Sequence, residues 1–156
     1  MAEEIDIVRD AREKCLELLA RREHSQKQLV DKLTLKGYPI DLVEDIVCQL
    51  AEQGLQNDFR FAECYSRQRI EKGYGPLRIQ YELQQKGVEG FALDEVIEES
   101  AGSWDGLLKQ VYLRKYSGDK MLTRQEWAKR SRFLQQRGFS SEMIMNLFKQ
   151  LAIKFD

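Results

Sequence analysis

The apolar positions of this chain recur at helical spacing and show no sustained alternation. From Val8 to Arg22 they fall at Val8, Ala11, Cys15, Leu18 and Leu19, the rhythm of one buried helix face. Ser25-Gln26-Lys27-Gln28 then forms a capping box, in which the serine oxygen and the Gln28 side chain each satisfy a free amide at the start of a second helix. That helix is predicted to stop at Gly37, and Pro39 opens a third through Leu50, with Gly54 beyond its end. The plan then returns. Asn57 or Asp58 caps a helix to about Lys72, Gly73-Tyr74-Gly75 breaks it, Pro76 starts the next, Gly87 ends that one, and Phe91 to Ser100 forms another. Ser103 caps a helix through Tyr116, which Ser117-Gly118-Asp119 terminates. Thr123-Arg124-Gln125-Glu126 is a second capping box, and Ser140 caps the last helix, with Phe139 and Ile144 placed as a hydrophobic staple. The expectation is nine helices and no convincing strand.

The pattern is periodic on a longer scale as well. A basic-Gly-apolar step occurs at Lys36-Gly37-Tyr38, Lys86-Gly87-Val88 and Arg137-Gly138-Phe139, at intervals of 50 and 51 residues. Apolar positions travel with it: Leu33, Leu83 and Leu134 lie four residues before the glycine, and Val43, Leu93 and Ile144 six after. A period of this size marks tandem supersecondary units that stack to bury a shared core. A unit of about 50 residues buries too little surface to be robust alone. The expected fold is therefore all-α, with three tandem three-helix repeats over residues 1–56, 57–101 and 102–156 forming an elongated, curved helical solenoid.

Composition sharpens this picture. Of 156 residues, 42% are apolar and 33% charged, against about 25% charged in ordinary globular chains, which suits small helical units with wide solvated faces. No apolar run exceeds three residues, so no membrane span is expected, and the acidic start Met1-Ala2-Glu3-Glu4 is unlike a secretory signal. Cys15, Cys48 and Cys64 are odd in number without C-x-x-C spacing, which argues against a disulfide framework and for a reducing cytoplasm. His24 has no partner at metal-ligand spacing, so these four residues read as packing or idle surface, with no metal and no cofactor. The net charge of −1 conceals a polarity: residues 1–100 carry 14 basic against 21 acidic side chains, and residues 101–156 carry 11 against 5. Such asymmetry points to a partner.

Catalysis finds little support. There is no Gly-rich phosphate loop, no G-x-S-x-G elbow and no H-E-x-x-H. The acidic run Glu89, Asp94, Glu95, Glu98 and Glu99 has no convergent basic or imidazole partner and reads as a solvated helix face. Binding is better supported, by two basic clusters. Arg60, Arg67, Arg69, Lys72 and Arg78 are interleaved with Tyr65, Tyr74 and Tyr81; the second cluster runs from Lys109 to Arg137 and includes Arg114, Lys115, Arg124, Lys129, Arg130 and Arg132 around Tyr116 and Trp127. Such cations attract phosphate by counterion release and aromatic rings stack on bases, although the same cations also pair with protein carboxylates. Trp127, Tyr112 and Phe133 are equally readable as core.

The segment Asp58-Phe59-Arg60-Phe61-Ala62, followed by Lys72-Gly73-Tyr74-Gly75-Pro76-Leu77-Arg78-Ile79-x-x-Glu82-Leu83-x-x-Lys86-Gly87-Val88, resembles the RecX family. Members of that family carry a matching D-x-R-F-A, a basic helix and then K-G-x-G-P-x-R-I-x-x-E-L-x-x-K-G-[IV]. Leu18 to Ser25 and Leu29-x-x-Lys32-Leu33 are similar to the family's first repeat, so the likeness covers nearly the whole chain. One departure is Leu55-Gln56-Asn57-Asp58, where many members have an aromatic residue first. The resemblance implies a bacterial regulator of the RecA recombinase. It would be built from three tandem three-helix repeats, and would engage the groove of the RecA–DNA filament and inhibit recombination, coprotease and ATPase functions without catalysis.

Carried over by residue, the resemblance implies that Arg60, Arg67, Arg69, Lys72 and Arg78 are exposed contacts, whereas Phe61, Ala62, Gly75, Pro76, Ile79, Leu83 and Gly87 serve shape. The charge pattern adds Arg114, Lys115, Arg124, Lys129, Arg130 and Arg132. The expected partner is the RecA filament, with weak, sequence-independent binding of single-stranded or duplex DNA by a monomer. Arg69 and Lys72 are expected to tolerate charge reversal without loss of fold. The alternative is an autonomous DNA-binding protein using a helix-turn-helix-like pair, for which the turn at Gly73-Tyr74-Gly75 is short enough.

Overall fold

Helix caps set the element boundaries in the computed structural model, which describes residues 2–155. The helices among the described residues are α1 (Ala2–Arg21), α2 (Gln26–Leu35), α3 (Ile40–Glu52), α4 (Asp58–Glu71), α5 (Pro76–Gln85), α6 (Asp94–Ala101), α7 (Trp104–Lys115), α8 (Arg124–Gln136) and α9 (Ser141–Gln150). Ser25 makes both halves of its capping box on α2. Ser103, Thr123 and Ser140 each accept a bond from the backbone amide three residues on, and Asn57 does the same for Arg60 at 3.0 Å. The Thr123 box differs from expectation: the Glu126 carboxylate turns to Arg130 Nε at 3.0 Å. None of these helices is long and apolar enough to cross a membrane.

Two helix starts depart from the sequence reading. Helix α1 starts at Ala2, six residues early, because Glu3 and Glu4 complement its positive N-terminal end although no described residue before Ala11 is buried. Helix α6 starts at Asp94 because the ring of Phe91 packs edge-on against Phe59, 5.3 Å away. The expectation of no strand is also corrected. Met121–Leu122 (β1) and Lys154–Phe155 (β2) pair in parallel. The chain turns into β2 through Ala152 at φ 56°, a left-handed position with no glycine to announce it.

By contacts the chain divides into two compact units, Met1–Cys64 with Leu83–Phe91, and Tyr65–Glu82 with Ala92–Asp156. In the first unit α1, α2 and α3 enclose Ala11, Cys15, Leu29, Leu33, Val43, Ile46, Val47 and Leu50. Burial pushes the Cys15 thiol up to about 11, so it behaves as a small hydrophobe, while Cys48 and Cys64 are exposed. The α5–α6 connection closes the unit: Ser25 Oγ donates to the Lys86 carbonyl at 2.6 Å and Lys27 Nζ to that of Gln85 at 3.3 Å. Gln56, in the stretch that departs from the family pattern, is buried and donates through Nε2 to the His24 carbonyl and to Asp58 Oδ1.

His24 is buried too. Lys32 Nζ lies 3.0 Å from its Nε2, so Nε2 is the acceptor and Nδ1–H donates to the Arg22 carbonyl at 3.0 Å. Burial, with Arg22 and Lys32 nearby, holds its pKa below the usual 6.5, despite the opposing backbone bond. The unfolded chain therefore takes up this proton first as pH falls, and the contribution of neutral His24, complete above 6.5, fades through the folded-state pKa. The urea midpoint is expected to drop between pH 7 and pH 5, above the ordinary carboxylate range. His24→Asn, which keeps a donor for the Arg22 carbonyl without titrating, should flatten that drop; an equal drop in both proteins would assign it to other groups.

The second unit is built on α7, α8 and α9. Tyr112 is wholly buried and packs edge-on to Phe148 at 5.7 Å, and Trp127 meets Phe148 at 4.6 Å and Phe155 at 4.8 Å. The core reading of Tyr112 is the correct one. The turn between α4 and α5 joins this unit through main-chain atoms. The Gly75 amide donates to the Arg137 carbonyl at 2.7 Å and the Leu77 amide to the Gly138 carbonyl at 3.1 Å. Orphan amides at the N-terminus of α5 thus meet orphan carbonyls at the C-terminus of α8, positive end to negative end.

Candidate functional site

Internal pairing sorts the basic side chains. In the first unit Arg60 donates to Glu23 at 3.1 Å and to the Gly54 carbonyl at 2.9 Å. In the second, Arg67 pairs with Glu99 at 3.3 Å. Arg69 makes a bidentate pair with Glu82, both bonds 2.9 Å, and only 16% of its side chain is exposed. Its guanidinium also lies 3.8 Å from the centre of the Tyr74 ring, which Arg78 and Arg137 approach at 4.6 and 4.7 Å. Arg78 donates to the Gln136 carbonyl at 2.9 Å and Arg137 to that of Lys72 at 2.8 Å. These arginines knit α4, α5 and the α8–α9 turn around one tyrosine by cation–π contacts and main-chain bonds.

The outward-facing expectation for Arg69 is therefore corrected: the α4–α5 hairpin brings Glu82 beside it. Arg130 needs a stronger correction. Its side chain is 7% exposed, and it donates to the Tyr112 hydroxyl at 2.8 Å as well as to Glu126. It spends its donors inside the second unit, anchoring α8 to α7.

Of the expected contacts, those that stay exposed without an ion pair among the described residues are Lys72, Arg114, Lys115, Arg124, Lys129 and Arg132. Lys129 and Arg132 share the outer face of α8 as i, i+3 neighbours. Arg124 borders a shallow depression with Trp127 and Phe155 and lies 5.7 Å from the Phe155 ring. Lys72, Arg114 and Lys115 converge with Arg137 on a groove of about 340 Å³ floored by Gly73, Val111 and Phe133. Lys115 Nζ sits 3.7 Å from the Phe133 ring centre. The groove forms where the C-terminal ends of α4, α7 and α8 meet, and basic residues belong at such ends on dipole grounds. Four cations facing one groove with no carboxylate among its described lining residues exceed what capping requires, and the arrangement suits a polyanion. Sequence reasoning placed Lys72 in one cluster and Arg114 and Lys115 in the other; it did not single out Arg137, the cation of the third basic-Gly-apolar step.

The chain is similar to known proteins over most of its length. Three family models match the chain in order: RecX, first three-helix domain, over residues 11–50; RecX, second three-helix domain, over 57–97; and RecX, third three-helix domain, over 106–148. The protein is 40% identical over 136 residues to the regulatory protein RecX of Pseudomonas entomophila, covering 87% of this chain and 88% of the relative. It is 39% identical over 139 residues to the regulatory protein RecX of Halorhodospira halophila, covering 89% of this chain and 84% of the relative. Its fold is similar to a crystal structure of regulatory protein RecX, with TM-score 0.75 and 26% identity over 94% of this chain and 73% of that one. It is also similar to that of RecX from Lactobacillus salivarius, with TM-score 0.69 and 25% identity over 94% and 97%.

Proposed function

The chain belongs to the RecX family, regulators of the RecA recombinase, and from that premise we propose that it binds in the groove of the RecA–DNA filament and holds down recombinase, coprotease and ATPase activities. The observation that carries this reading is the set of unpaired cations, Lys72, Arg114, Lys129 and Arg132, which no carboxylate among the described residues neutralises. In this reading no bond is made or broken. Repeated modest contacts along a polymer add through effective concentration, so a protein with three successive helical repeats gains hold that no single repeat has. Bound across neighbouring subunits, it opposes the movements that ATP turnover needs and obstructs an incoming duplex.

Co-sedimentation with preformed RecA–single-stranded DNA filaments tests this directly against DNA alone and free RecA. The expected result is pelleting with the filament, weak pelleting with DNA, and a half-saturation point that rises with salt as screening and counterion competition grow. Equal pelleting with DNA alone would favour the autonomous DNA-binding alternative, and salt independence would remove the electrostatic basis.

A further inference from the structure

The cationic groove adjoins a second, more enclosed pocket of about 180 Å³; Gly73, Val111 and Arg114 line both. The two halves differ in chemistry. The groove presents Lys72, Arg114, Lys115 and Arg137. The pocket presents Ile70, Leu107 and Val111 with Ser100 and Gln110, and Glu71 also lines it. The Ser100 hydroxyl oxygen is buried and makes no hydrogen bond within the described structure, an arrangement that asks for a partner.

We infer that these adjoining halves form a site for one nucleotide of single-stranded nucleic acid. Its phosphodiester oxygens are seated among the four cations and its base is received by the pocket. A base is flat and apolar on its faces and polar along its edge, which matches aliphatic walls beside a hydroxyl and an amide. An acidic peptide would satisfy the cations and leave the pocket without purpose. A duplex keeps its bases stacked and could offer only phosphates. Glu71 repels phosphate from the pocket and so fixes which half takes which part. The setting rests on the filament reading above, but the site itself needs no RecA.

Fluorescence anisotropy with a labelled twelve-residue oligothymidylate, an abasic oligomer of equal length and charge, and polyglutamate as competitor tests the assignment on the full chain. Four phosphate contacts to a single strand predict a salt slope near −3 on log axes, roughly a 50-fold loss between 50 and 200 mM. The abasic oligomer should bind at least tenfold more weakly than the oligothymidylate. Ser100→Ala with Gln110→Ala should weaken only the oligothymidylate, whereas Lys72→Gln with Arg114→Gln should weaken both and roughly halve the slope. Equal binding of the two oligomers, displacement by polyglutamate as effective as by unlabelled oligomer, or indifference to Lys72→Gln with Arg114→Gln would overturn the site. RecA ATPase suppression measured in parallel separates the two readings: intact suppression with no oligomer binding sinks this inference and leaves the regulator standing.

Discussion

Gly138→Ala is expected to cost about 3 kcal/mol and, at this chain length, to lower the thermal midpoint by roughly 6–12 °C. Gly138 has φ 104°, which an L side chain rarely adopts. A Cβ there would stand 2.5 Å from Arg78 Cβ and 2.7 Å from the Arg78 amide nitrogen. Neither neighbour is the free end of a flexible chain, so the two turns must part. Parting them breaks the Gly75–Arg137 and Leu77–Gly138 main-chain bonds and withdraws Arg78 from the Gln136 carbonyl. Gly75→Ala should behave alike, since its Cβ would meet the Gly138 carbonyl oxygen at 2.5 Å. Gly118→Ala, with nothing within 4 Å, is the control. Thermal unfolding followed by circular dichroism reads the difference, and equal midpoints for the three variants would mean that the turns are not locked.

The second large effect is functional. Lys72→Glu with Arg114→Glu should leave helicity and the thermal midpoint near those of the parent, because both side chains are exposed and unpaired, yet weaken suppression of RecA ATPase at least tenfold, about 1.4 kcal/mol of binding. Arg69→Glu makes the informative contrast. It sets a carboxylate against Glu82 in a site where the present pair is mostly shielded from water, and is expected to cost up to about 3 kcal/mol of stability. Loss of activity in that variant would report on folding. ATPase inhibition titrations at fixed RecA and DNA, run beside urea melts, separate the two cases; unchanged suppression with Lys72→Glu and Arg114→Glu would take these cations out of the interface.

The same two cases separate what the sequence encodes locally from what only the fold creates. Caps, proline starts and the recurring basic-Gly-apolar step are local signals, and Ser25, Ser103, Thr123, Ser140 and Gly138 do locally what their types require. The fate of a cation is not local. Glu126 and Arg130 could be seen as i, i+4 partners, but burial of Arg130 depends on Tyr112, 18 positions away on another helix. Arg69 meets Glu82 only because a 13-residue separation is folded into a hairpin. Convergence of Lys72 with Arg114 and Lys115 likewise depends on where three helix ends meet. The β1–β2 pair escaped because two residues carry no period, and because the turn before it uses alanine where glycine is usual.

Closure of the first unit by Ser25 and Lys86 sets an order on its birth. Helices α1 to α3 hold mainly short-range contacts, so they can condense while the ribosome is still translating, but the Lys86 carbonyl arrives 61 residues after the serine that reaches it. A nascent chain stalled just beyond α3 would carry a collapsed three-helix body with its cap missing. Only later in synthesis does the strap from Leu83 to Phe91 emerge and seal it.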